Sequence, residues 1–236
     1  MPTYHSSNAE GRINIAIDGP AGAGKSTVAR QVAKRLDYIY IDTGAMYRAV
    51  TLAALRSGIA ANESDKLSEL VGGLDIRLEP GAPVQRVYLD GEDITEAIRS
   101  RDVTQSVSAV AAIEAVRLSL VDKQRELAAA KGVVMDGRDI GSHVLPDAEL
   151  KIFLTASVRE RAMRRFKESG EAQGVTLEAL ESEIAERDRS DRERAISPLI
   201  QAADAVLIDS TSLTIDEVSS RITELGLTKM AEGTTR

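Results

Sequence analysis

Eight consecutive residues near the start of the chain have the types and spacing of a phosphate-binding loop. Residues 19–26 read Gly-Pro-Ala-Gly-Ala-Gly-Lys-Ser, which fits the pattern G-x-x-x-x-G-K-[ST]. Glycines allow a tight turn in which successive backbone N–H groups point at phosphate oxygens. Lys25 supplies a positive charge for the outer phosphates, and the Ser26 hydroxyl suits Mg²⁺. The motif therefore predicts a nucleoside-triphosphate site.

The segments on either side of this loop have the context that the motif requires. Residues 13–18 are mostly apolar and β-branched, as in a buried strand. After the loop, Val28, Val32 and Leu36 recur at a spacing of four, which is typical of a helix with one packed face. A strand, a loop and a helix in this order distinguish the motif from a chance glycine-rich turn.

The rest of the chain alternates short strands with helices. Four further strands are predicted at 38–41, 133–135, 150–154 and 205–209. Together with the first strand they predict an α/β fold with a doubly wound, five-stranded parallel sheet, in a single domain of residues 13–227. Helices are predicted at 45–57, 63–71, 93–131, 158–165, 176–194 and 215–225, with a frayed end at 228–236.

A change of periodicity indicates a small antiparallel insertion. Residues 74–78 and 84–89 alternate apolar and polar side chains at period two, with turns at Pro80-Gly81 and Asp90-Gly91. The pattern alone fits two interpretations equally: a surface hairpin, or a lobe that closes over a substrate.

Composition excludes several classes of protein. The chain has 236 residues, a net charge of −7 and no cysteine. The charge disfavours nucleic-acid binding, which needs a positive field, and the absence of cysteine excludes disulfides and thiol catalysis. No signal sequence is visible in residues 1–12, which we expect to form a flexible tail, and no apolar run approaches the ~20 residues that span a bilayer. We expect a cytoplasmic monomer that binds no membrane.

Charged residues cluster after one predicted strand and in two predicted helices. Asp136-Gly137-Arg138-Asp139 follows the strand at 133–135, and open α/β sheets bind ligands at the carboxyl ends of their strands. The helix at 158–165 carries four arginines. Further on, Arg187, Asp191 and Arg194 share one helix face, which fits either a solvated salt-bridge ladder or a binding surface.

These residues suit phosphoryl transfer to an acceptor that is itself a phosphate. The histidines are His5 and His143 alone, and no G-x-S-x-G elbow occurs, so a histidine base is disfavoured. A phosphate acceptor is already ionised at neutral pH and needs no base; it needs positive charge, Mg²⁺ and positioning. A GTP switch would carry an N-K-x-D motif, which is absent. A pure binding module fits poorly with an intact loop lysine and serine beside many arginines.

Four motifs together resemble those of the bacterial cytidylate kinases in order and spacing. They are Ile17-Asp18-Gly19-Pro20-x-Gly22-Ala23-Gly24-Lys25-Ser26, Asp42-Thr43-Gly44-Ala45-x-Tyr47-Arg48, Asp136-Gly137-Arg138-Asp139-Ile140-Gly141 and Glu186-Arg187-Asp188-x-x-Asp191-Arg192-x-Arg194. The resemblance covers about residues 13–225. It implies transfer of the γ-phosphoryl group of ATP to CMP or dCMP, with Mg²⁺ as cofactor. It also implies a monophosphate-binding lobe at about 69–100 and a helical, arginine-bearing lid at about 158–175.

The resemblance also implies roles for particular residues. The ATP site comprises Gly19, Pro20, Ala21, Gly22, Ala23, Gly24, Lys25, Ser26 and Thr27. The acceptor nucleotide is held by Thr43, Arg48, Arg138 and Arg194, its cytosine is read by Ser108, Arg117 and Asp139, and its sugar is bound by Arg187 and Asp191. The transferring group is stabilised by Lys25, Arg138, Arg164, Arg165 and Arg194, and the metal is supported by Ser26 and Asp136. For Asp139 one alternative stays open, that it pairs with an arginine and only holds the pocket together.

Overall fold

The computed structural model describes residues 11–81, 84–167 and 174–234. The strands are β1 (Asn14–Asp18), β2 (Ile39–Asp42), β3 (Ile76–Glu79), β4 (Arg86–Leu89), β5 (Glu92–Asp93), β6 (Val133–Gly137), β7 (Leu150–Thr155) and β8 (Val206–Asp209). The α-helices are α1 (Lys25–Leu36), α2 (Thr43–Arg56), α3 (Ser64–Gly73), α4 (Arg101–Val110), α5 (Glu114–Ala128), α6 (Val158–Arg165), α7 (Leu177–Glu193) and α8 (Ile215–Thr234).

The main sheet is the doubly wound parallel sheet that the sequence predicts. Its strands lie in the order β2-β6-β1-β7-β8, and every neighbouring pair is parallel. Every residue of the central strand β1 is buried, including the polar residues Asn14 and Asp18 at its two ends. The strands point the same way, so the segments that follow β1, β2 and β6 meet at one edge of the sheet. The phosphate loop, Thr43 and Arg138 come from these segments.

The predicted insertion is a three-stranded antiparallel sheet in the order β3-β4-β5. Ile76, Val87 and Leu89 are buried from this sheet and share a hydrophobic core with residues of α2 and α3. The turn at Asp90-Gly91 joins β4 to β5, and both of its residues adopt positive φ angles. The insertion therefore packs against the helices that follow β2, which places it beside the edge where the predicted site residues meet.

The stretch predicted to be helical in character at 93–131 contains more than one helix. The structure divides it into a 3₁₀ turn at Ala97–Arg99 and the helices α4 and α5. Ser100 starts α4, because its side chain accepts a hydrogen bond from the backbone N–H of Val103. Ile113, just before α5, is extended, and Arg117 donates to the carbonyl of Ala111 in the break. The break brings Arg117 towards the end of α4.

The closing helix is longer than the sequence predicts. Residues 228–234, for which we predict fraying, continue α8 through Thr234. Leu225 and Met230 pack against the core beneath α1, and the Tyr38 hydroxyl donates to the Met230 sulfur at 3.3 Å. This packing explains why the helix persists beyond 225. Of the N-terminal tail, residues 1–10 lie outside the described part of the chain, as do 235 and 236.

Candidate active site

A cavity of about 630 Å³ lies at the edge where the predicted site residues meet. Its lining includes every residue that the sequence assigns to the site except Gly19 and Pro20. These residues come from the phosphate loop, from the segments after β2 and β6, and from α4, α5, α6 and α7. The fold thus brings residues from almost the whole length of the chain, from Ala21 to Arg194, around one space.

The phosphate loop connects β1 to α1 in the backbone conformation that its glycines permit. At Gly19 the φ angle is 148°, and a Cβ atom there would lie 1.9 Å from the carbonyl oxygen of Leu154, so no other residue fits. Lys25 is 5% exposed, and its Nζ donates to the carbonyl of Pro20 at 2.8 Å. Burial lowers the pKa of Lys25 well below its ordinary value, and the nearby positive charge of Arg138 adds to the effect.

A buried ion pair that the sequence analysis missed holds the backbone of this loop at Ala21. Arg161 donates to the carbonyl of Ala21 at 2.8 Å, and Asp188 accepts from the backbone N–H of Ala21 at 3.3 Å. The two side chains also pair with each other at 2.7 Å. Arg161 is one of four arginines on α6, and Asp188 stands inside the Glu-Arg-Asp motif. Both residues thus belong to stretches that the sequence analysis singled out, but the sequence does not show which of the charged residues in them are buried.

Ser26 and Asp136 offer oxygen atoms at the mouth of the loop. The Ser26 hydroxyl donates to Asp136 Oδ2 at 2.9 Å, and the Tyr40 hydroxyl donates to Asp136 Oδ1 at 2.9 Å. Burial raises the pKa of Asp136 to about 6, helped by the nearby charge of Asp42. The described residues contain no group of three or more histidine, cysteine, aspartate or glutamate side chains that could hold a metal ion. Any cation here would need further ligands from elsewhere.

The acceptor side of the cavity begins at the start of α2. The Thr43 hydroxyl donates to the carbonyl of Asp136 at 2.7 Å, which leaves the oxygen's lone pairs available. Arg48 pairs with Asp42 at 3.1 Å, and Asp42 also caps α2 by accepting from the N–H of Ala45. The start of α2 therefore fixes a hydroxyl and a guanidinium group at the cavity wall.

The face formed by residues 187, 191 and 194 lines the cavity and is not a ladder of mutually paired surface charges. Arg138 pairs with Asp191 at 2.7 Å, so this ion pair joins α7 to the segment after β6. The Nε atom of Arg187 is buried without a hydrogen-bond partner among the described residues. Burial, with the positive charge of Arg138, lowers the pKa of Arg187 to about 10. A buried, partly unsatisfied guanidinium group favours an anion as its neighbour.

Two arginines hold Asp139 at the far end of the cavity. Asp139 Oδ2 accepts from Arg117, and its Oδ1 pairs with Arg194 at 3.1 Å. Both Asp139 and Arg117 are almost fully buried, and the Arg117 guanidinium lies 5.5 Å from the ring centre of Tyr47. Ser108 lines the same cavity from α4. The alternative in which Asp139 pairs with an arginine thus describes its contacts in this structure, and its carboxylate has further acceptor positions.

Asp18 positions the segment that carries Arg138 and Asp139. Its carboxylate accepts from the backbone N–H groups of Ile140 and Gly141, at 2.8 and 2.7 Å. Burial raises the pKa of Asp18 to about 7, although these two hydrogen bonds oppose the shift. The sequence analysis quoted Asp18 as part of a motif but gave it no role. The structure shows that it ties the end of β1 to the turn after β6.

The two predicted lid arginines line the cavity but bond elsewhere in this arrangement. Arg164 pairs with Glu160 at 3.0 Å and donates to the carbonyl of Ser210 at 2.6 Å. Arg165 lies 3.9 Å from Glu183 of α7. Residues 168–173 of the predicted lid lie outside the described part of the chain.

No helix of the described residues is long and apolar enough to cross a membrane.

A family profile and the similar proteins of known function both identify the same family. The family profile described as cytidylate kinase matches residues 15–227. A cytidylate kinase from Exiguobacterium sibiricum is 57% identical over 215 residues, which cover 91% of this chain and 96% of that protein. A cytidylate kinase from Pediococcus pentosaceus is also 57% identical, over 212 residues that cover 89% of this chain and 94% of that protein.

Among solved structures, one example resembles most of the chain in fold. It is an uncharacterized protein from Eubacterium ventriosum with a TM-score of 0.51, covering 91% of this chain and 98% of that one. At 12% identity the likeness concerns the fold alone.

Proposed function

Because the chain belongs to the cytidylate kinase family, it is a (d)CMP kinase, and we propose that its cavity transfers the γ-phosphoryl group of ATP directly to CMP or dCMP by in-line displacement. The products are ADP and CDP or dCDP. The observation that carries this mechanism is the shared cavity of about 630 Å³, which the phosphate loop lines together with the arginines assigned to the acceptor and the transferring group. Donor and acceptor phosphates both need cationic surroundings, and one cavity supplies them.

Electrostatic stabilisation is the main contribution of the protein. Negative charge spreads over the oxygens of the transferring group, and preorganised positive groups stabilise it. The pKa values of Lys25 and Arg187 are lowered by their surroundings, which means that the protein itself compensates their charges poorly. Bound phosphates supply the missing negative charge. Binding both nucleotides therefore stabilises the same groups that act on the transition state.

The oxygen atoms of Ser26 and Asp136 fit a hydrated Mg²⁺ that arrives with the nucleotide. Mg²⁺ prefers oxygen ligands and keeps several waters, so one hydroxyl and one carboxylate from the protein suffice alongside phosphate oxygens. We assign Ser26 as the hydroxyl ligand and Asp136 as the carboxylate that supports it. Bound Mg²⁺ would neutralise charge on the outer phosphates. Ser26 and Asp136 already lie 2.9 Å apart, so neither has to be recruited from a distance.

The acceptor nucleotide is proposed to lie along the wall from Thr43 to Asp139. Arg48, Arg138 and Arg194 would bind its phosphate, and Arg187 with Asp191 would bind its sugar. Asp139, with Ser108 and Arg117, would contact the cytosine. A carboxylate can accept a hydrogen bond from the exocyclic amino group of cytosine, whereas uracil offers an oxygen acceptor at that edge. The contacts of Asp139 with two arginines support this by holding it at the end of the cavity.

The lid arginines complete the proposal. Arg164 and Arg165 would move towards the transferring group once both nucleotides are bound, releasing Ser210 and Glu183.

The expectation that the protein acts as a cytoplasmic monomer stays a prediction.

A steady-state assay of ADP release tests the function. The enzyme is supplied with ATP and Mg²⁺ and then, in separate reactions, with CMP, dCMP, UMP or AMP. We expect negligible ADP release with ATP alone and rapid release with CMP or dCMP. Release that is equally fast without any monophosphate would contradict the proposal, because it would indicate hydrolysis of ATP by water.

A further inference from the structure

Tyr40 contacts the proposed metal-supporting carboxylate, and neither the sequence analysis nor the proposed function uses it. Its hydroxyl donates to Asp136 Oδ1 at 2.9 Å, while Ser26 donates to the other oxygen at the same distance. One donor on each oxygen fixes the plane of the carboxylate. With Ser26 alone, Asp136 would be free to rotate about its terminal torsion, which is broad for carboxylates.

The hydroxyl of Tyr40 is buried beside two carboxylates. Burial raises the pKa of Tyr40 well above its ordinary value, and the negative charges of Asp136 and Asp42 act in the same direction. In these surroundings the phenol donates a hydrogen bond to Asp136 Oδ1. It also offsets the repulsion between Asp136 and Asp42, which raises the pKa of Asp136.

The backbone of Tyr40 is itself held by the insertion. Strand β2 lies at the edge of the main sheet, so its outer backbone groups have no neighbouring strand. Gln85, just before β4, bonds two of these groups: its Nε2 donates to the carbonyl of Tyr40 at 2.6 Å, and its Oε1 accepts from the N–H of Asp42 at 3.1 Å. The end of β2 is therefore fixed between β6 and the insertion.

We propose that Tyr40 is a positioning residue for phosphoryl transfer, which orients Asp136 towards the magnesium ion of the nucleotide. The proposal rests on the proposed function, and it concerns a residue that has been assigned to neither nucleotide. The outer partners of metal-supporting groups commonly contribute about 10- to 100-fold to metal affinity or activity. Removal of this single hydroxyl should therefore weaken the use of Mg²⁺ without affecting the acceptor.

The test compares Tyr40→Phe with Tyr38→Phe as a matched control. Tyr38 also makes two hydrogen bonds, with Ile13 N and the Met230 sulfur, but it lies under α8, outside the cavity lining. Both variants lose one hydroxyl and keep the ring. Three quantities are measured for each: the Mg²⁺ concentration for half-maximal rate, the KM for CMP, and the Kd for ATP by calorimetry, with Mg²⁺ and with EDTA.

For Tyr40→Phe we expect the Mg²⁺ requirement to rise about 10-fold and the Kd for ATP with Mg²⁺ to rise by a similar factor. The Kd in EDTA and the KM for CMP should stay within about twofold of wild type, and Tyr38→Phe should match wild type throughout. An unchanged Mg²⁺ requirement in Tyr40→Phe overturns the proposal. So does equal weakening of ATP binding with and without Mg²⁺, or the same shift in Tyr38→Phe. CMP-dependent activity of the wild type, measured first, tests the proposed function separately.

Discussion

Arg161 and Asp188 form a buried ion pair that holds Ala21 of the phosphate loop by both its carbonyl and its N–H group. Arg161 lies on α6, within the predicted lid, and Asp188 lies on α7, which follows it in the chain. The loop that is proposed to receive the donor phosphates is thus fixed in part by α6, the helix that carries the lid arginines Arg164 and Arg165. Any movement of α6 relative to α7 would act on the loop through this pair.

The Arg161–Asp188 pair should be important for stability. In Asp188→Asn, Arg161 remains buried without its counter-charge, and breaking a buried ion pair typically costs about 3–5 kcal/mol. We expect the free energy of unfolding to fall by about that amount in urea titrations. The control is Glu186→Gln, two residues earlier on α7, where an exposed carboxylate pairs with Arg189. That change should cost less than about 1 kcal/mol. Equal small effects in the two variants would contradict the role given to Arg161 and Asp188.

Lys25 should be needed for turnover and dispensable for folding. The pKa of Lys25 is lowered by burial, so its charge does not stabilise the protein without nucleotides. Lys25→Ala should reduce kcat by about 10²–10³, as for the loss of one preorganised charge at the transition state. Its thermal midpoint should stay at or above that of wild type. Lys34→Ala, at an exposed position on the same helix, is the control and should leave kcat unchanged. Near-normal turnover in Lys25→Ala would contradict a catalytic role for the loop.

Asp18 should make the nucleotide-free protein less stable as the pH rises. Its pKa is about 7 in the folded state, against 3.8 for an unperturbed aspartate side chain. Between these values the folded protein holds a proton that the unfolded chain has released, so the free energy of unfolding falls with rising pH. The stabilising contribution is fully present below about pH 4 and is lost by about pH 7. The full shift corresponds to a maximum of about 4 kcal/mol.

Urea unfolding at pH 5 and pH 7.5, without nucleotides, measures this effect. In Asp18→Asn the fall between the two pH values should be smaller than in wild type, because the titrating group is gone. The variant should also be less stable at pH 5, since its amide nitrogen faces one of the two backbone N–H groups. The other carboxylates are common to both proteins and cancel in the difference. Equal pH dependence in wild type and variant would contradict the raised pKa.

The base preference should depend on Asp139. Asp139→Asn adds an amide donor where uracil offers an acceptor, so the CMP/UMP ratio of kcat/KM should fall several-fold or more, chiefly through loss for CMP. A polar contact of this kind discriminates by about 1–3 kcal/mol. The control is Asp191→Asn, which disturbs the ion pair with Arg138 on the proposed sugar side. It should lower kcat/KM for CMP and for UMP by the same factor. If Asp139→Asn leaves the ratio unchanged, Asp139 only holds Arg117 and Arg194 in place.

The parts of the fold and site that the sequence predicts are those with local signals. The phosphate loop and the five parallel strands each lie within a few consecutive residues, and residues from all four quoted motifs line one cavity. Tertiary contacts account for the rest. Arg161 and Arg164 stand one turn apart on α6, yet Arg161 is buried against Ala21 whereas Arg164 bonds Ser210. Tyr40 meets Asp136 across 96 positions of the chain, a contact that no local pattern contains.

The helix boundaries show the same limit. The sequence shows one apolar face at Val103, Val107 and Val110 and a second apolar run from Val116, but it does not mark the ends of the two helices around the break before Glu114. The break is stabilised by Arg117, which bonds Ala111 and reaches Asp139, 22 positions further on. Likewise α8 extends to Thr234 because Met230 packs near Tyr38, 192 positions earlier. The sequence predicts elements well where the neighbouring residues decide them, and poorly where distant residues do.

Transfer of a radioactive label from the γ-phosphate of ATP tests the central claim most directly. The enzyme is incubated with γ-labelled ATP, Mg²⁺ and CMP, and the nucleotides are separated. If the cavity transfers the phosphoryl group directly, the label appears in CDP at the same rate as ADP forms, and Lys25→Ala slows both alike. Label recovered as inorganic phosphate, with CMP left unchanged, would contradict the account.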